Sequence, residues 1–142
     1  MPPAGLIDTG AILAIVDVED HWHSACVQAM NSLPAPLLTS EAVLTETFHL
    51  IGSRSHNIDR VWDFVRSGAV ALQPIADSEL PELRALMARY HDRPMDFADA
   101  TLVYIANRES VSLILTIDHD DFETYRIDGR KRFSVLPHRR RT

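Results

Sequence analysis

The chain has 142 residues, 46% of them hydrophobic, one cysteine and a net charge of −6. That apolar content is enough for one domain, residues 1–142, to bury a core without staples, and Cys26 alone closes no internal disulfide. No apolar run approaches the roughly 18–20 residues that cross a bilayer, the start from Met1 to Gly5 lacks a signal peptide's charged region, and the acidic balance excludes a broad basic grip on nucleic acid; the expectation is a soluble, cytoplasmic protein with no membrane partner.

Along the chain, the run from Ala4 to Asp8 is apolar until its final acid, Thr9 and Gly10 punctuate it, and Ala11 to Val16 is apolar again. This predicts a buried strand feeding a helix. Asp20 is placed to cap a helix through His23 to Ser32, which Pro34 and Pro36 end before a short strand at Leu37 to Thr39. Ser40 opens the next helix, where Val43, Leu44, Phe48 and Ile51 recur at steps of three and four. A further helix is predicted from Asn57 to Gly68, with Asn57 as cap, Val61, Phe64 and Val65 on one face and Gly68 past its end.

Val70 to Leu72 reads as a strand, and Ser78 as the cap of an amphipathic helix carrying Leu80, Leu83, Leu86, Met87 and Tyr90, ended by the linker from His91 to Pro94. Asp96 starts another helix, with Asp99 three residues on. Leu113 to Ile117 is a strand ending at Asp118, and Phe133 to Leu136 is the last strand before Pro137. Short apolar strands alternating with helices imply an α/β fold, because parallel neighbours need crossover helices, and helices are expected on both faces of a mainly parallel sheet.

In open parallel sheets the ligand site lies beyond the carboxyl ends of the strands. Here the residues at those ends are acids: Asp8 follows the first strand and Asp118 follows Leu113 to Ile117. Asp96 and Asp99 arrive in the first turn of a helix, where a carboxylate caps free amides and complements the dipole. That explanation suits Asp96 better than Asp99, which enters the apolar face of its helix. Glu46 sits among Val43, Leu44 and Phe48. Like charges gathered at one edge are unfavourable unless a cation sits among them. Oxygen ligands without Cys and His suit Mg²⁺, with Mn²⁺ as a substitute, and a hard ion in a carboxylate nest points to phosphate-ester chemistry.

Four motifs carry a resemblance that runs from Leu6 to Pro137: Leu6-Ile7-Asp8-Thr9-Gly10, Val43-Leu44-Thr45-Glu46, Met95-Asp96-Phe97-Ala98-Asp99-Ala100, and Leu115-Thr116-Ile117-Asp118-His119-Asp120-Asp121-Phe122. In that order and spacing the chain resembles a PIN-domain ribonuclease of the VapC type, the toxin of a toxin–antitoxin pair. The resemblance implies a three-layer sandwich and endonucleolytic cleavage of RNA. It implies that Asp8, Glu46, Asp99 and Asp118 form a catalytic quartet holding Mg²⁺, with Asp96 and Asp121 as accessory acids and Thr9 and Thr116 as polar neighbours. A cognate antitoxin and a homodimer are the partners it implies.

The acidic net charge is then partly the nest itself, which attracts phosphate once a cation occupies it. Arg126, Arg130, Lys131, Arg132 and the basic tail from about residue 138, Arg139 to Arg141, are candidates to guide the backbone, although a charge run at a terminus is usually a solvated one. A calcium loop at Asp118 fails, because Phe122 and Glu123 stand where an Asp or Asn and a Gly are needed. His21 and His23 lack zinc spacing and read, like His119, as exposed histidines. Two alternatives stay open: a PIN-like scaffold that binds RNA or protein without cutting, and an aspartate-based phosphatase or phosphotransfer domain. The second is weakened because Asp8-Thr9-Gly10 lacks an aspartate two residues on.

Overall fold

Alternation of short apolar runs with amphipathic ones builds the chain in the order β1 (Leu6–Ile7), α1 (Thr9–Val16), α2 (His23–Asn31), β2 (Leu37–Thr39), α3 (Glu41–Ile51), α4 (Ser55–Val65), β3 (Val70–Leu72), α5 (Leu80–Arg89), α6 (Phe97–Glu109), β4 (Leu113–Leu115), α7 (His119–Thr124), β5 (Arg126–Ile127), β6 (Lys131–Arg132) and β7 (Ser134–Leu136). The computed structural model describes residues 3–53, 55–93 and 95–139, apart from the Ser55 side chain. Five strands form a wholly parallel sheet in the order β3-β2-β1-β4-β7, and β5 pairs with β6 antiparallel.

The strand order explains the layers. From β1 the chain steps outward to β2 and β3, then returns past β1 to β4. Right-handed crossovers therefore place α1 to α4 on one face and α5 with α6 on the other. In keeping with this, α1 packs on α2, α3 and α4, while α5 packs on α6. The sequence of α1 is apolar all round, and it buries Ala11, Ile12, Ala14 and Val16, as befits a helix enclosed by its neighbours. Most of α6 is buried too, from Ala98 to Val103 and again at Ile105 and Ala106. The fold is α/β with the three-layer arrangement expected.

Close packing shows at two glycines. A Cβ on Gly5 would lie 2.4 Å from the Leu113 carbonyl oxygen, and one on Gly10 would lie 2.6 Å from Ile117 Cγ1. Strand β4 ends at Leu115, two residues earlier than its apolar run suggests, although the Thr116 amide still donates to the Leu136 carbonyl at 2.9 Å. The last strand likewise begins at Ser134, with Phe133 buried just before it.

Caps are where the sequence reading needs correction. Asp20 does not cap α2; its carboxylate accepts the Trp22 amide at 2.8 Å in the preceding turn, and the helix starts without a side-chain cap. Asn57 lies inside α4, which starts at Ser55. Ser78 sits in a 3₁₀ turn, Asp77–Glu79, where the Glu79 carboxylate accepts the Ala76 amide at 2.8 Å. The helix proper opens at Leu80 with Pro81 in its first turn. Ser40 and Asp96 do cap α3 and α6, accepting the amides of Val43 and Asp99. Pro94, the end of the predicted linker, lies outside the described residues.

The sequence reading has no counterpart for α7 or the β5–β6 hairpin. Asp128 and Gly129 turn that hairpin with φ of 53° and 73°, and the Arg130 amide donates to the Ile127 carbonyl at 3.1 Å. An Asp-Gly pair at positive φ is a strong hairpin signal. The tail is not a free arm at Arg139, whose guanidinium pairs with Asp120 and with Glu123 on α7. Arg140 and Arg141 lie outside the described residues.

Candidate active site

Parallel register decides which side chains meet at the carboxyl edge. Leu6 lies opposite Ile114 and Ile7 opposite Leu115, so the next residues, Asp8 and Thr116, emerge side by side. This is also the switch point of the sheet, where connections from neighbouring strands diverge and leave a crevice. The Thr116 hydroxyl donates to Oδ2 of Asp8 at 3.0 Å and accepts the Asp118 amide at 3.0 Å. The other Asp8 oxygen caps α1, accepting the Thr9 amide at 2.7 Å. Asp8 is thus buried and fixed by two neutral donors, while the Thr9 hydroxyl reaches the Val43 carbonyl at 3.4 Å and ties α1 to the helix that bears Glu46.

The second buried acid comes from the opposite layer. Capping of α6 by Asp96, 2.7 Å from the Asp99 amide, starts the helix so that Asp99 falls in its first turn on the buried side. Oδ2 of Asp99 accepts the Tyr125 hydroxyl at 2.9 Å. Glu46 is half-buried on α3, and Asp96 and Asp118 are exposed at the rim. Asp121, on α7, is engaged by the Arg93 guanidinium at 3.1 Å.

These acids feel one another. Burial pushes Asp8 up to about 7, the charges of Asp118 and Glu46 add to it, and the Thr9 and Thr116 donors oppose it. Burial pushes Asp99 up to about 8, helped by the charges of Asp8, Asp96 and Asp121 and opposed by the Tyr125 hydroxyl. Asp118 is raised as well, by partial desolvation first and then by Asp121, Asp96 and Glu46. The six acids singled out from the sequence therefore gather around one edge, with Asp8 and Asp99 buried and the others toward solvent.

The donor set fits a hard divalent ion in its chemistry, since it is all carboxylate oxygen and its two buried members are costly as anions unless a cation faces them. Among the described residues, no three Asp, Glu, His or Cys side chains converge closely enough to complete a coordination sphere as they stand. Asp118 is exposed and Glu46 half-buried.

Tyr125 is the site residue that sequence reading passed over. Its one signal is an aromatic three residues after Phe122, which reads as core. His119 also departs from expectation: it is buried, its Nε2 donates to the Pro137 carbonyl at 2.8 Å, and its ring lies 5.3 Å from that of Trp22. His23 is half-buried against the Ala14 carbonyl rather than free on the surface.

The PIN domain family matches residues 5–128. Ribonuclease VapC26 of Mycobacterium tuberculosis is 30% identical over 135 residues, which cover 93% of this chain and 99% of that protein. The crystal structure of VapC20 from Mycobacterium tuberculosis, a sarcin–ricin-loop-cleaving toxin, is similar with a TM-score of 0.71 at 21% identity, covering 82% of this chain and 91% of that one.

Proposed function

Because the chain belongs to the PIN-domain family, and within it to the VapC-type ribonucleases, we propose that it is a Mg²⁺-dependent endoribonuclease and the toxin of a toxin–antitoxin pair. The observation that carries the reading is the pair of buried carboxylates, Asp8 and Asp99, brought from opposite layers to the switch point of the sheet and raised by burial to about 7 and about 8. Two such groups destabilise the fold when charged, so their presence calls for a cationic ligand that offsets the cost.

Asp8 and Asp99 would hold the ion from below and Glu46 and Asp118 from the rim, with Asp96 and Asp121 adding negative potential. Bound Mg²⁺, or Mn²⁺ in its place, supplies an activated water and neutralises charge on the phosphodiester. Thr116 keeps one oxygen of Asp8 and the backbone of Asp118 in a fixed relation. Asp96 does the same for the start of the helix bearing Asp99. Arg93 pairs with Asp121 at 3.1 Å and would be free to exchange that carboxylate for a phosphate.

An aspartyl-nucleophile phosphatase is disfavoured by the same geometry, because Asp8 is 4% exposed and both its oxygens accept hydrogen bonds. The reading carries with it an RNA substrate, a cognate antitoxin, a homodimer and a cytoplasmic setting. The test is cleavage of a structured RNA mixture by the purified protein with Mg²⁺ or with EDTA, alongside Asp8→Asn. Cutting that needs metal and disappears in the variant supports the nuclease. Undiminished cutting by Asp8→Asn removes the assigned site, and folded protein that neither cuts nor responds to metal favours the non-catalytic binding module.

A further inference from the structure

Tyr125 is wholly buried at the end of α7, where the ring of Phe122 stands 5.2 Å away edge-on and that of Tyr90 5.1 Å away. Phe122 in turn meets Phe133 at 5.4 Å. This is an aromatic cluster in which a phenylalanine fills the same space, so packing does not explain why a hydroxyl is carried into it. Its hydrogen-bond partner is Oδ2 of Asp99, at 2.9 Å. The carboxylate is the acceptor that satisfies this buried hydroxyl, so the two groups are held as a pair.

Asp8 shows what such a bond does. There, too, one carboxylate oxygen is held by a neutral hydroxyl, that of Thr116. The two buried acids thus share a design in which an uncharged donor holds one carboxylate oxygen without bringing a positive charge to it. A lysine or arginine in either position would neutralise the acid and compete with a cation.

We propose that Tyr125 is a positioning residue of the site, its hydroxyl holding the Asp99 carboxylate in the orientation that receives the divalent ion. Outer donors of this kind commonly set metal affinity about as strongly as a weak ligand does, by roughly 10–100-fold. The inference rests on the metal-site reading above and goes beyond it, since Tyr125 touches neither ion nor substrate.

The experiment is Mg²⁺ titration by calorimetry of wild type, Tyr125→Phe and Tyr90→Phe, with near-ultraviolet circular dichroism checking the fold. The Tyr90 hydroxyl accepts the Arg126 amide at 2.9 Å and serves as the control for losing a tyrosine hydroxyl in the same cluster. The expected result is a Kd for Mg²⁺ raised about tenfold or more in Tyr125→Phe, unchanged in Tyr90→Phe, and cleavage by Tyr125→Phe recovered at raised Mg²⁺. Equal affinity in wild type and Tyr125→Phe overturns the inference and leaves the metal site standing. Absence of binding by wild type overturns the metal-site reading and this inference with it. Should Tyr125→Phe not fold, the tyrosine ultraviolet difference spectrum on adding Mg²⁺ decides: a perturbation kept in Tyr90→Phe supports the coupling, and a flat spectrum overturns it.

Discussion

Asp8 and Asp99 reach about 7 and about 8 in the folded chain, against 3.8 for an ordinary aspartate. Between pH ~4 and those values the folded state holds protons that the unfolded state has released, so in the metal-free protein stability falls as pH rises through that window and levels off above it. The loss is of the order of several kcal/mol. Urea denaturation in EDTA at pH 5 and pH 8 measures it, and wild type should be the less stable at pH 8. Asp8→Asn and Asp99→Asn should each flatten the slope and exceed wild type at the higher pH, since each removes an anion that burial disfavours. A wild-type midpoint that climbs from pH 5 to pH 8 contradicts the assignment.

A helix cap also ties the two helix layers together. Ser40 caps α3 by accepting the Val43 amide at 3.2 Å, and its hydroxyl shares a 2.7 Å hydrogen bond with Thr101 of α6. One side chain thereby fixes the helix bearing Glu46 against the helix bearing Asp99. Ser40→Ala should cost about 1–2 kcal/mol, from the lost cap and the lost bond to Thr101, whose hydroxyl keeps the Ala98 carbonyl as its acceptor. Urea unfolding reads the cost, and an effect within experimental error means that α3 does not depend on its cap. The caps that sequence reading misassigned have a common cause. Asp20, Asn57 and Ser78 are all good capping residues by type, but nearby turns took the chain into the helix earlier or later than they stand.

Taken whole, the molecule carries a net charge of −6 and gathers carboxylates at one edge of its sheet. Its basic residues are already committed in part: Arg139 to Asp120 and Glu123, Arg126 to the carbonyls closing α7, and Arg130 to Asp128. On the proposed reading, attraction for phosphate would come chiefly from the ion. Binding to the folded state alone stabilises it by mass action, about 2.7 kcal/mol at a hundredfold excess over Kd. For a chain of this size that corresponds to a rise in Tm of the order of 5–10 °C, larger at pH 8 than at pH 5 because protons compete with the ion. Differential scanning fluorimetry with Mg²⁺ and with EDTA checks it. An unchanged Tm at both pH values means the acids bind no ion.

The parallel α/β fold and the identity of the acids were legible in the sequence, because each rests on local pattern: apolar runs of strand length, amphipathic spacing, and acids at the ends of both. Asp8 and Asp118 stand out there as acids ending apolar runs, and Asp99 as an acid on an apolar helix face. The Asp-Gly signal of the β5–β6 hairpin was legible too and went unread. Only the tertiary structure decided that Thr116 would meet Asp8, that Tyr125 would reach Asp99 from 26 residues away, and that His119 would be buried. Those contacts follow from strand register and from where the chain leaving α7 meets α6, and neither leaves a periodic trace. A hydroxyl or imidazole looks the same in the sequence whether it faces water or a carboxylate; burial and the partner across the fold make the difference.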